Sequence, residues 1–232
     1  MKKRKGQMSE SFLLGAMLAV VGGFLDAYTY LLRGGVFANA QTGNMVLLGI
    51  SAVEGNFLKA LYYLIPIAAF ALGVVAAEAV RHRFRTHPRI HWRQIVVAAE
   101  FVLLLGAAFV PQGDFDVAVN VAVSFMCAMQ VESFRKVNGN AFASTMCTGN
   151  LRSATERLWR YHLTKDRSER NRGIQYLLII LFFVIGAAVG ALFSKIWGVR
   201  AVLFCCILLS AGFGVMFIKE DVPELEEELK KR

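Results

Sequence analysis

Six apolar runs, most of them near 20 residues long, constrain this chain more than any other feature. They cover approximately Phe12–Leu32, Phe57–Val80, Ile95–Val110, Val117–Phe134, Gln175–Phe193 and Ala201–Ile218. A helix rises about 1.5 Å per residue, so roughly 20 residues cross the ~30 Å of hydrocarbon in a bilayer. No alternation of apolar and polar residues runs through them, so they read as helices rather than barrel strands. Hydrophobic residues make up 56% of the chain, above the roughly 45–50% of soluble domains. The reading is an all-α polytopic membrane protein with six spanning helices. Met1–Ser11 is basic, but the apolar run after it has no small-residue cleavage site, so it reads as a retained first helix. The third and fourth runs meet at Pro111-Gln112-Gly113-Asp114, a cluster suited to a tight hairpin.

A net charge of +9 ordinarily invites a nucleic-acid reading. Here the charge is arranged otherwise. Of 26 Lys and Arg residues, 22 lie in the N-terminal segment, the loops Arg81–Gln94 and Arg135–Gly173, and the C-terminal tail. The other four are Arg33, Lys59, Lys195 and Arg200, in the alternate connections. The positive-inside rule puts the 22, and both termini, in the cytoplasm. Nucleic acid is excluded as a partner; the basic loops, Arg152–Arg172 above all, suit anionic lipid head groups. Cys127, Cys147, Cys205 and Cys206 form no CxxC and read as reduced thiols. His82, His87 and His91 lack a carboxylate or thiol cluster, so neither a metal nor a cofactor is expected.

The chain repeats itself. Thr42-Gly43-Asn44 recurs as Thr148-Gly149-Asn150, 106 residues later, and at that offset Asp26 falls on Glu132. Each acid stands near the end of an apolar run, 16 residues before its Thr-Gly-Asn. The following run carries Gly73 in the first half and Gly186 in the second. One transmembrane domain (1–232) thus divides into a first repeat (11–111), a second (115–218) and a cytoplasmic tail (219–232). Three spans per half is an odd number, so the halves insert with opposite orientation. Inverted repeats are a recurrent transporter design, with the site near the midplane between them.

The segment Gly34–Gly55 is too apolar for an ordinary loop and too polar in its middle for a span. Were it to cross, Arg81–Gln94 would lie outside, against the charge rule. A re-entrant excursion satisfies both constraints. Residues 34–41 enter as extended chain, and a half-helix from about Gly43 to Val53, with Thr as its N-cap, returns. Asn140–Cys147 and the helix after it repeat the plan from the other face. Non-helical backbone at membrane depth must be covered by protein or line a cavity. Asn39, Thr42, Gly43, Asn44, Thr145, Thr148, Gly149 and Asn150 are therefore candidate cavity residues. Two half-helix N-termini gathered there suit a small anion or polar solute.

Asp26 and Glu132 are costly in lipid and should face the interior. They are candidates for proton coupling or gating; the structural alternative is that they cap the adjacent Thr-Gly-Asn backbone or pair with Arg33, Arg135 or Lys136. Glu78 and Glu100 read as snorkelling toward the cytoplasm. Gln130 is a candidate solute contact or interhelical glue. Gly22-Gly23, Gly73, Gly186, Gly190, Gly212 and Gly214 read as close helix contacts.

The stretches Gly23-Phe24-Leu25-Asp26-Ala27, Phe37-Ala38-Asn39, Thr42-Gly43-Asn44 and Met146-Cys147-Thr148-Gly149-Asn150-Leu151 resemble the YoaK-type family of bacterial membrane proteins. The resemblance covers about Ser11 to Ile218 and implies an inner-membrane location. It carries no catalytic residue. The expectation is a small-solute transporter or channel, with a homo-oligomer compatible with the sequence. The alternative is a membrane sensor or scaffold using Arg135–Gly173 as its partner surface. No nucleophile–base pair or metal cluster points to an enzyme.

Overall fold

The computed structural model describes residues 11–84, 92–137, 140–141 and 146–218. They form helices α1 (Phe12–Leu32), α2 (Gln41–Val53), α3 (Phe57–Phe84), α4 (Trp92–Ala107), α5 (Asp116–Ser133), α6 (Cys147–Thr164), α7 (Arg167–Trp197) and α8 (Leu203–Ile218). A 3₁₀ turn, Gly198–Val202, joins α7 to α8, and Lys136–Val137 pairs with Asn140–Ala141 in a two-residue antiparallel ladder. Among the described residues, three runs are long and apolar enough to cross a membrane: Phe12–Leu32, Phe57–Phe84 and Arg167–Met216, the last broken at Gly198.

Glycines set the main helix crossings. Gly186 on α7 faces the Val20 carbonyl of α1, with no room for a Cβ, and a Cβ on Gly190 would lie 2.7 Å from the Phe24 carbonyl. Phe12 meets Phe182 edge-on at one end, and the Tyr28 hydroxyl donates to the Val199 carbonyl at the other. Residue numbers rise together along both helices, so α1 and α7 run parallel. The same arrangement joins α3 to α5: Gly73 faces the Phe125 carbonyl, Asn120 contacts Tyr62, and Arg135 reaches Glu78. Small residues let helix backbones approach closely where lipid removes the hydrophobic drive for association.

Shorter helices complete the bundle. Helix α2 packs back along α3, and α6 along α7. Helix α8 lies against α1 and α4, where Leu14, Phe24, Leu104, Cys205 and Leu209 belong to the principal core. Helix α4 folds onto α5 through the Pro111–Asp114 turn.

Arg33, fully buried just past α1, fastens that turn. Its guanidinium donates to Tyr28 Oη, to the Ala107, Val110 and Pro111 carbonyls, and to Asp116 Oδ1 at 2.9 Å. Ala107 is the last residue of α4 and Val110 and Pro111 follow it, so the guanidinium sits at that helix's C-terminal end, where a cation is favoured. Arg33 therefore pairs with Asp116 and not with Asp26.

Candidate functional site

After α1 the chain turns through two left-handed glycines, Gly34 (φ 78°) and Gly35 (φ 74°). It then runs as an irregular strip, Val36–Ala40, against the inside of the molecule. Four consecutive N–H groups of that strip have no helical partner, and in an apolar interior each would cost several kcal/mol, ~2–7 by transfer scales. Side chains supply all four acceptors. Phe37 donates to Asn44 Oδ1 (3.0 Å), Ala38 to Thr29 Oγ1 (3.3 Å), and Asn39 and Ala40 to Asp26 Oδ1 (2.8 and 3.3 Å). Asn44 closes its end by donating to the Phe37 carbonyl and to Gln41 Oε1. The Asp26 carboxylate thus holds the strip ahead of the first Thr-Gly-Asn.

Helix α2 starts at Gln41, two residues earlier than the sequence suggests, and its N-cap is Ala40. Helix α6 likewise starts at Cys147 with Met146 as cap. Neither Thr42 nor Thr148 is therefore an N-cap. Both threonines instead sit in the first helical turn and are exposed.

The first turns of α2 and α6 open into one cavity of about 1380 Å³. Asp26, Asn39, Thr42, Thr148, Gly149 and Asn150 all border it. Apolar wall comes from Ile67 and Phe70 of α3, from Phe183 of α7, and from Tyr30 stacked on Phe37 with ring centroids 4.7 Å apart. Arg152, exposed on α6, supplies a positive group. Sequence reasoning missed Gln41, Arg152 and Ser153, although their positions beside the Thr-Gly-Asn motifs were the signal. The aromatic walls carried none.

Other candidates lie elsewhere. Gly43 packs on the Phe37 ring, where a Cβ would fall 2.8 Å from a ring carbon, and Asn44 is buried in its clamp. Gln130 is buried and donates to the Leu18 carbonyl, which makes it interhelical glue. Glu132 stands apart from the cavity at the end of α5, ion-paired with Arg135, which also reaches Glu78 at 2.5 Å. Glu100 does not snorkel: it is 0% exposed, in the core near Cys127, Cys205 and Cys206. Thr145, His87 and His91 lie outside the described residues.

Apolar helices of membrane length, packed through glycines beside an open, mostly apolar cavity, define an integral membrane protein. The chain belongs to the family described as protein of unknown function (DUF1275), which matches residues 14–215. It is 27% identical over 190 residues to the UPF0700 transmembrane protein YoaK of Bacillus subtilis (strain 168), covering 76% of this chain and 81% of that protein. No solved structure matches it.

Proposed function

We propose that this protein is a small-solute transporter or channel of the bacterial cytoplasmic membrane. Six spans form two inverted three-helix repeats, with both termini cytoplasmic, and α2 and α6 are re-entrant half-helices. One observation carries the reading: the first turns of α2 and α6, 106 residues apart in sequence, border the same cavity. Helix packing supports it. Exchanging α1 with α5, α2 with α6, α3 with α7 and α4 with α8 turns each main helix pair into another main pair or into itself. The parallel α1–α7 and α3–α5 pairs also agree with six alternating spans.

Small polar or anionic solutes suit the two helix N-termini. Asp26, bordering the cavity, is the candidate coupling group for a proton, and the Glu132–Arg135–Glu78 cluster is a candidate gate. Basic residues along α6 and at the start of α7 would meet anionic lipid head groups. A cavity of this size weighs against the sensor or scaffold reading, which needs both strips tightly packed.

The test is labelling of Thr42→Cys and Thr148→Cys, each made in a chain with its four native cysteines replaced. A membrane-impermeant charged thiol reagent should modify each one when added to either face of the membrane. Modification from one face only, or from neither, would reject a solute path.

A further inference from the structure

The cavity carries both signs of charge, which a simple anion site would not. Asp26 is 5% exposed and borders the cavity. Its Oδ1 accepts two backbone N–H groups, while its Oδ2 accepts no hydrogen bond from any described residue. Asp26 Oδ2 therefore keeps hydrogen-bonding capacity for a donor that a ligand brings. Beside it, Asn39, 7% exposed, also borders the cavity. One carboxylate oxygen on this wall is thus available to a donor-bearing group.

Across the cavity the field is positive. Helix α6 begins there without a side-chain cap, so its first-turn N–H groups face outward from the helix end. Arg152, one turn further on, makes no ion pair with a described residue. Asp26, Cys147, the first residue of α6, and Arg152 border the same cavity, so both poles face one space. Ile67, Phe70 and Phe183, which carry no charge, also line it. A volume of about 1380 Å³ is larger than an inorganic ion needs.

We infer that the cavity binds a small zwitterion with an apolar body, of the apolar α-amino acid type. Its ammonium group donates to Asp26 Oδ2. Its carboxylate lies at the start of α6 with Arg152, and its side chain rests on the Ile67–Phe70–Phe183 wall. The inference deepens the solute-path reading and rests on it only in treating this cavity as the solute site.

Three probes separate the poles: L-leucine, its methyl ester, which keeps only the ammonium, and 4-methylpentanoate, which keeps only the carboxylate. Thermal shift of the purified full chain in detergent should show half-saturation by leucine at a concentration at least tenfold below either half-molecule. Asp26→Asn should bring leucine to the level of 4-methylpentanoate, and Arg152→Gln to the level of the ester. If either half-molecule matches leucine on the unaltered protein, or none of the three shifts it, the inference is overturned; this series decides even where a variant fails to fold. Labelling of both cysteines from both faces without a leucine effect would keep the path and remove the zwitterion. Leucine binding with labelling from one face alone would do the reverse.

Discussion

The ends of α1 and α5, which the proposed repeat places in equivalent positions, carry different chemistry. Asp26 lies seven residues before Arg33, deep in the helix, with its carboxylate fixed to the strip that leads into α2. Glu132 lies three residues before Arg135, and the two pair with each other where both meet water. Arg33 is wholly buried and fastens the α4–α5 turn; the Arg135 side chain is 53% exposed. Each helix end carries an acid followed by an arginine, and the two pairs do different things. What the halves still share is the frame: a glycine on the helix after each half-helix, pressed on a carbonyl of the other half.

That shared frame is the place to press hardest. Gly186→Leu would drive a side chain into the Val20 carbonyl, and Gly73→Leu into that of Phe125. Neither obstacle is a flexible side chain, so the helices must separate. Overpacking of this kind costs about 3 kcal/mol or more. Each variant should lose a monodisperse peak in size-exclusion chromatography, and by similar amounts. Gly106→Leu, with nothing within 4 Å of its Cβ, should behave like the unaltered chain. If only one of the pair mattered, the two crossings would not be equivalent.

The arginines should separate the halves. Arg33→Met removes a buried guanidinium and strands Asp116 beside three helix-end carbonyls; breaking such a pair costs about 3–5 kcal/mol. The expected result is a large fall in melting temperature, read by the fluorescence of a thiol-reactive dye as the buried cysteines become exposed. Arg135→Met removes a half-exposed guanidinium from Glu132 and Glu78, pairs that contribute about 1 kcal/mol or less each, and should lower the melting temperature less than Arg33→Met does. Equal losses would mean that the second helix end is as firmly built as the first.

How far the sequence reaches follows the same division. Where a feature depends on length and periodicity it is legible: α1, α3, α4, α5, α7 and α8 each overlap one of the six apolar runs, and α1 has the expected bounds. The contacts of Gly23, Gly73, Gly186 and Gly190 follow from small-residue spacing, whereas Gly214 has nothing within 4 Å of its Cβ position. Details of the strip are not legible, because they depend on which distant groups the fold brings beside a bare N–H. Nothing local marks Asn44 as a clamp on Phe37 or Thr29 as the acceptor for Ala38. Arg33 and Glu100 were misread for one reason: position along a helix indicates depth, but not whether the side chain faces the core. The aromatic wall of the cavity comes from three separate helices and an irregular strip, and no pattern in the chain links them.

The smallest expected effects are also the most discriminating. Asp26→Asn keeps the shape and leaves an acceptor for the Asn39 and Ala40 N–H groups, but those bonds lose their charge. A hydrogen bond to a charged group contributes about 1.5–3 kcal/mol, against about 0.5–1.5 for a neutral one, so the variant should fold with a loss of about 1 kcal/mol. Because the strip then depends on weaker bonds, hydrogen exchange at Asn39 and Ala40 should quicken while exchange in the middle of α1 stays slow. Glu132→Gln has no strip to release among the described residues, and its exposed pairing with Arg135 contributes less than about 1 kcal/mol. Exchange at Asn39 and Ala40 should not change in that variant. Were Glu132→Gln to loosen the first strip as much as Asp26→Asn does, the two acids would form one coupled device, and the separation of roles drawn from their positions would be wrong.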